Sequence, residues 1–100
     1  MKRVILTLGM AVLLGVGTAQ AAGDVQAGKA KAAGCAGCHG ANGEGVAPNP
    51  ALKGKTEVQL AQAMKDYKSG KRDNAVMKGM ISSLNDQDME NLAAYYASLK

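Results

Sequence analysis

Cys35-Ala36-Gly37-Cys38-His39 is the stretch on which the reading of this 100-residue chain turns, because it holds both cysteines and the single histidine. Residues three and four apart share one face of a helix. A helical turn here therefore presents two sulfurs side by side with an imidazole next to them. The approach to the motif reads as a helix: Asp24 is placed to cap it, and Gly28, Ala32 and Cys35 fall at i, i+4 and i+7 on one face, small enough to admit a close neighbour. Beyond the motif the pattern stops. From Gly37 to Lys55 the chain carries Gly40, Gly43, Gly45, Pro48 and Pro50, which reads as a long irregular loop. A loop of that length inside a compact domain normally wraps something.

The chemistry of the motif narrows by comparison. A redox C-x-x-C follows a strand in a βαβ unit, and no strand pattern precedes Cys35. A zinc site takes four ligands, usually Cys or His, and only Cys35, Cys38 and His39 are of those types. A disulfide across so short a loop leaves the core no better filled. C-x-x-C-H fits covalent attachment of haem c. The two thiols add to the haem vinyl groups as thioethers, and the adjacent imidazole lies under the iron as its proximal ligand.

The rest of the chain needs such a body. One hundred residues make a single small domain, and with no Phe, no Trp and three Tyr it has little bulky surface to bury. Domains of that kind rely on disulfides, metals or cofactors. The first segment is read separately: Lys2 and Arg3 form a charged n-region, Val4 to Val16 an apolar h-region, and Ala19-Gln20-Ala21 a small-x-small cleavage pattern, so residues 1–21 read as a secretory signal with cleavage before Ala22. The apolar run, interrupted at Gly15 and Gly17, falls short of the ~20 residues that a membrane span needs. Export through such a leader implies a periplasm or an equivalent oxidising space.

Charge is uneven in residues 22–100. Ten Lys and Arg stand against eight Asp and Glu after the leader, too weak an excess for nucleic-acid binding. Between Lys53 and Lys78, however, seven basic residues face three acidic ones, whereas the remaining segments are net negative.

Three helices are expected. Besides the one leading to the motif, Thr56 with Gln59 is a capping-box pattern that opens a helix lined by Leu60, Met64 and Tyr67 and stopped by Gly70. Asn85 with Asp88 opens the last helix, whose stripe is Met89, Leu92, Ala93, Tyr96 and Leu99, with Lys100 at the end where a cation suits the helix dipole. With no second histidine, bis-histidine ligation is excluded within the chain, and a methionine thioether, which favours ferrous iron, is the usual sixth ligand of an electron-transferring haem. Met64, Met77, Met80 and Met89 are available. Met64 and Met89 sit on helical apolar stripes, where Met is usually core filler. Met77 and Met80 lie between the later helices, where a loop can cover the distal face.

Gly23-Asp24 leading into Cys35-Ala36-Gly37-Cys38-His39-Gly40-Ala41-Asn42-Gly43, then Arg72-Asp73-Asn74-Ala75-Val76-Met77, Leu84-Asn85-Asp86-Gln87-Asp88 and Ala93-Ala94-Tyr95-Tyr96, resembles the bacterial class I cytochromes c-553 and the single domains of cytochrome c4. The resemblance covers essentially all of residues 22–100. It implies an all-α class I cytochrome c fold, three main helices and loops wrapped around one covalent haem, with thioethers at Cys35 and Cys38 and axial ligands His39 and Met77. The family pattern places the methionine eight residues before the cap of the last helix; Met80 is the alternative. It also implies a proline carbonyl accepting from the proximal imidazole, assigned to Pro48 with Pro50 second. The first helix departs from the pattern in carrying Ala, Gly and Lys where large apolar residues are common, so its contact with the last helix is expected to lean on Tyr95 or Tyr96.

A six-coordinate His/Met haem has no open position and changes oxidation state with little rearrangement. The expected function is therefore a soluble periplasmic single-electron carrier, not an enzyme, docking on donor and acceptor redox proteins through Lys53, Lys55, Lys71, Arg72 and Lys78 around the haem edge. Two other readings share the motif: a five-coordinate haem protein binding a small gas, and a fixed relay subunit of one redox complex.

Overall fold

The computed structural model describes residues 23–99, all-helical apart from loops and one isolated bridge between Val46 and Asn49. Residues 1–21, expected to be a secretory leader, Ala22 and the terminal Lys100 lie outside the described residues. Five helical segments follow one another: α1 Val25–Lys31, α2 Ala33–His39, α3 Glu57–Ser69, α4 Ala75–Ile81 and α5 Asp86–Ser98. The architecture is all-α, helices joined by loops, as the sequence leads one to expect.

Local side chains set where each helix starts. Asp24 accepts from the N–H groups of Gln26 and Ala27 at the start of α1. Thr56 and Gln59 bond each other's backbone N–H reciprocally at 3.0 and 3.1 Å, and Asn85 and Asp88 do the same at 3.1 and 2.8 Å. These capping boxes satisfy donors that a helix start otherwise leaves unpaired. Gly70 ends α3 with φ +88°, a left-handed conformation that costs glycine nothing.

Two departures from the sequence expectation stand out. The first helix is broken at Ala32, whose N–H is shared between the carbonyls of Gly28 and Lys29. That bifurcated bond tightens one turn without turning the face away, so Gly28 and Ala32 are both buried and Cys35 still packs against the core. The second departure is α4, a seven-residue helix where a loop was expected, started by Asn74 accepting from the Met77 N–H at 3.0 Å.

The core lies where α1, α3 and α5 meet, built from Ala32, Leu60, Ala61, Leu92, Ala93 and Tyr96, with Met64, Leu52 and Cys35 partly buried against it. The approach of α1 to α5 is set by missing side chains. A Cβ on Gly28 would lie 1.9 Å from the Asn91 carbonyl oxygen, and one on Gly23 2.0 Å from that of Glu90. Tyr95 does meet α1, its Cβ lying against Gly28, but backbone contact at glycine is what brings the two helices together. Asn91 closes the junction, its Oδ1 accepting from the Asp24 N–H and from Gln87 Nε2, both at 2.8 Å. The ion pairs Lys65–Glu90 at 3.0 Å and Lys31–Asp88 at 3.7 Å bridge helices at the surface, where such pairs contribute at most about 1 kcal/mol each.

Candidate functional site

Cys35, Cys38 and His39 all lie on α2, with His39 as its last residue. Cys35 is half-buried, Cys38 is exposed, and both are free thiols. Burial pushes the Cys35 thiol above its ordinary pKa, partly offset by the neighbouring Tyr96 hydroxyl. His39 is 6 % exposed.

The loop after α2 folds back over the motif and is tied to it at three points. Gly45 N–H donates to the His39 carbonyl at 2.7 Å, Asn49 Nδ2 donates to the Cys38 carbonyl at 3.0 Å, and His39 Nδ1 lies 2.7 Å from the Pro50 carbonyl oxygen. The proline carbonyl at the imidazole is thus that of Pro50, and the expected Pro48 does not take this role. Val46 and Asn49 form a tight turn, with Asn49 N–H bonded to the Val46 carbonyl at 2.8 Å. That turn spans Pro48 and delivers Pro50, two residues later, to the ring. A carbonyl only accepts, so Nδ1 carries the hydrogen. In the neutral ring Nε2 then presents its lone pair, the arrangement in which histidines bind metals.

The loop is itself braced. Leu52 and Lys53 both donate to the Gly43 carbonyl, at 2.7 and 3.0 Å, and Gly43, at φ +69°, lies against the Tyr96 ring. Glu44 accepts from the Asn42 N–H at 2.9 Å. Its own and the Asn42 backbone N–H groups hold its carboxyl below the usual range.

Among the methionines, Met89 is fully buried and Met64 packs against the core, so both serve as filler. Met77 and Met80 are both on α4, and they differ in exposure: Met77 is half-buried, while Met80 is 50 % exposed. Met77 is four residues before Ile81, which is buried, so the two share the inward face of α4.

The basic residues expected to dock partners divide into two groups. Lys53 and Lys55 precede the start of α3, whereas Lys71 and Arg72 follow its end, where Lys78 Nζ also reaches Gly70 and the Arg72 guanidinium lies 5.1 Å from the Tyr67 ring centre. Thirteen helical residues separate the groups, about 20 Å at 1.5 Å per residue.

Two features of the site gave no clear signal in the sequence. Asn49 bonds a backbone carbonyl whose position depends on the path of the loop. The hydroxyl of Tyr96 is the one buried side-chain nitrogen or oxygen among the described residues that has no hydrogen-bond partner. The Tyr stripe marked that residue as core, but nothing local told where its oxygen would point.

A helix-borne pair of thiols, an oriented imidazole and a covering loop define an attachment site for a large planar group, held on an all-helical frame. Comparison with known proteins agrees. The family model "Cytochrome c" matches residues 25–100. The chain is 50 % identical over 97 residues to cytochrome c4 of Pseudomonas aeruginosa, covering 96 % of this chain and 46 % of that protein. It is 41 % identical over 81 residues to cytochrome c-554(548) of Halomonas halodenitrificans, covering 77 % of this chain and 98 % of that one. The crystal structure of reduced recombinant cytochrome c4 from Pseudomonas stutzeri superposes with a TM-score of 0.74 at 40 % identity, over 79 % of this chain and 47 % of that one.

The chain belongs to the cytochrome c family, as a class I c-type cytochrome whose cofactor is covalently bound haem c. The chain spans about half the length of the cytochrome c4 relatives it matches. The residues present fit that cofactor: two unpaired thiols one helical turn apart, an imidazole with Nε2 available, and a buried hydroxyl without a protein partner beside one thiol.

Proposed function

We propose that this protein is a periplasmic single-electron carrier in which Cys35 and Cys38 hold the haem as thioethers and His39 and Met77 are its axial ligands. Each cysteine adds its S–H across a vinyl double bond, sulfur to one carbon and hydrogen to the other, so attachment needs no oxidant. When bound, the haem iron supplies a one-electron Fe(III)/Fe(II) couple. The observation that carries the reading is the 2.7 Å contact of His39 Nδ1 with the Pro50 carbonyl, which fixes the ring's tautomer and orientation before any ligand is taken.

Met77, on the face of α4 that carries buried Ile81, supplies the second ligand. A thioether is soft and favours ferrous iron, which raises the potential. With His39 and Met77 both holding the iron, no position would be left open for a substrate, and electron exchange would be outer-sphere. Residues 1–21 act as the export leader, cleaved before Ala22. No helix among the described residues is long and apolar enough to cross a membrane. Lys53, Lys55, Lys71, Arg72 and Lys78 steer acidic faces of donor and acceptor redox proteins.

The test is the reduced visible spectrum with and without carbon monoxide. An unchanged spectrum is expected if Met77 stays bound. A carbonyl spectrum formed at once would make the protein a five-coordinate gas binder instead.

A further inference from the structure

Tyr96 is held rigidly. It is 2 % exposed, its ring lies so close to Gly43 that a Cβ there would sit 2.7 Å from Cδ1, and Tyr95 packs edge-on with ring centres 5.0 Å apart. A rigid, buried hydroxyl without a partner forfeits the hydrogen bonds it had in water, which is why native proteins rarely leave one. Cys35, which packs against the same core cluster, lies beside it. The two groups are near enough to perturb each other but are not in hydrogen-bond geometry.

We propose that the Tyr96 hydroxyl donates a hydrogen bond to the Cys35 sulfur once that sulfur is a thioether, and that this bond raises the reduction potential of the haem. The inference rests on Cys35 being an attachment cysteine. A thiol both donates and accepts, whereas a thioether has no hydrogen and only accepts. Attachment therefore fixes the polarity of the pair, with the phenol as its one donor. The phenol is suited to that role, since burial and the neighbouring Cys35 push its pKa up to about 12 and keep it protonated. The positive end of the O–H dipole then points at a sulfur joined to the macrocycle. That favours the electron-richer ferrous state, as hydrogen bonds near redox centres do. Tyr96 acts here as a positioning residue through Cys35.

The experiment is a double-mutant cycle on the haem-loaded protein, read as midpoint potential. Tyr96→Phe keeps the ring and removes the oxygen. It is expected to shift the redox equilibrium with a fixed partner about twofold toward the oxidised form, roughly 18 mV at 59 mV per decade. In a Cys35→Ala background, with haem held through Cys38, the same change is expected to do nothing. A second readout needs no cysteine variant: the Cys35 C–S stretching band in resonance Raman should move in D2O for the native protein and stay put in Tyr96→Phe. An equal potential shift in both backgrounds would mean that the hydroxyl serves another acceptor, such as a haem carboxylate, and overturns the proposal. So would no shift in either background, or a C–S band insensitive to D2O. Loss of haem from the denatured native protein would instead remove the attachment reading on which this rests.

Discussion

Gly28 presses its Cα onto the main-chain carbonyl of Asn91, so that a methyl group in place of its hydrogen would lie 1.9 Å from the oxygen and 2.9 Å from Tyr95 Cβ. Both neighbours are backbone or backbone-near, so neither swings aside. Gly28→Ala is expected to force α1 off α5 and lower stability by at least about 2 kcal/mol, a fall in Tm of roughly 10 °C for a domain of this size. Gly34→Ala is the control: its Cβ meets nothing within 4 Å, and it should gain up to ~1 kcal/mol from helix propensity. Thermal unfolding of the haem-loaded variants checks both. Equal melting temperatures would mean that the helix crossing tolerates more separation than this packing allows.

Met77→Ala is expected to abolish the long-wavelength thioether-to-iron charge-transfer band of the oxidised protein and to lower the potential by on the order of 100 mV, a fraction of the ~0.8 V span that axial ligands cover. Met80→Ala should leave the band in place, because that side chain is half exposed on α4. The opposite pattern in the two spectra moves the ligand to Met80.

Glu44 contributes to stability in a pH-dependent way whose sign follows from its depressed pKa. Backbone N–H groups stabilise its carboxylate in the folded loop. The contribution is therefore present above the ordinary glutamate pKa and is lost as pH falls through the lower folded value. Glu44→Gln should remove that part of the acid dependence by lowering stability slightly at neutral pH, while leaving stability in acid, where the native carboxyl is protonated as well, nearly unchanged. Urea midpoints measured at neutral and at acid pH decide it; parallel losses on acidification in both proteins would assign the sensitivity elsewhere.

Charge reversal separates the two basic groups. They stand about 20 Å apart along α3, well beyond the ~8 Å over which charges act at physiological ionic strength. Lys71, Arg72 and Lys78 changed together to Glu are expected to slow association with an acidic redox partner several-fold at low salt. Lys53 and Lys55 changed alone form the comparison that tells which end of α3 faces the partner. Stopped-flow rates unmoved by salt and by both reversals would leave Lys71, Arg72 and Lys78 to suit the negative end of α3, and Lys53 and Lys55 to keep the protein in solution.

Short-range features of this chain were legible in its sequence, whereas those set by the path of the chain were not. Asp24, Thr56 with Gln59, and Asn85 with Asp88 announced the helix starts because capping is a short-range exchange of hydrogen bonds. The stripe Met89, Leu92, Ala93 and Tyr96 was equally plain, and all four are buried. The small residue Gly28 was read as room for a neighbour, and α5 occupies that room. Helix α4 escaped because seven residues that bury only Ile81 leave no periodic stripe, although its cap at Asn74 was present. The break at Ala32 had no marker either, since both sides of it continue the same face. Pro48 and Pro50 carry the same local signal two residues apart. Which carbonyl meets His39 is decided by the Val46–Asn49 turn, which brings chain segments together in a way that residue type does not encode.

The central claim is that Cys35 and Cys38 carry the cofactor covalently, and the intact mass of the denatured protein after acid–acetone extraction tests it most directly. The polypeptide beginning at Ala22 plus one haem is expected for the native protein, with the haem mass lost when both cysteines are changed to Ser. A native polypeptide that emerges at its bare mass, its haem left in the acetone, would contradict the account.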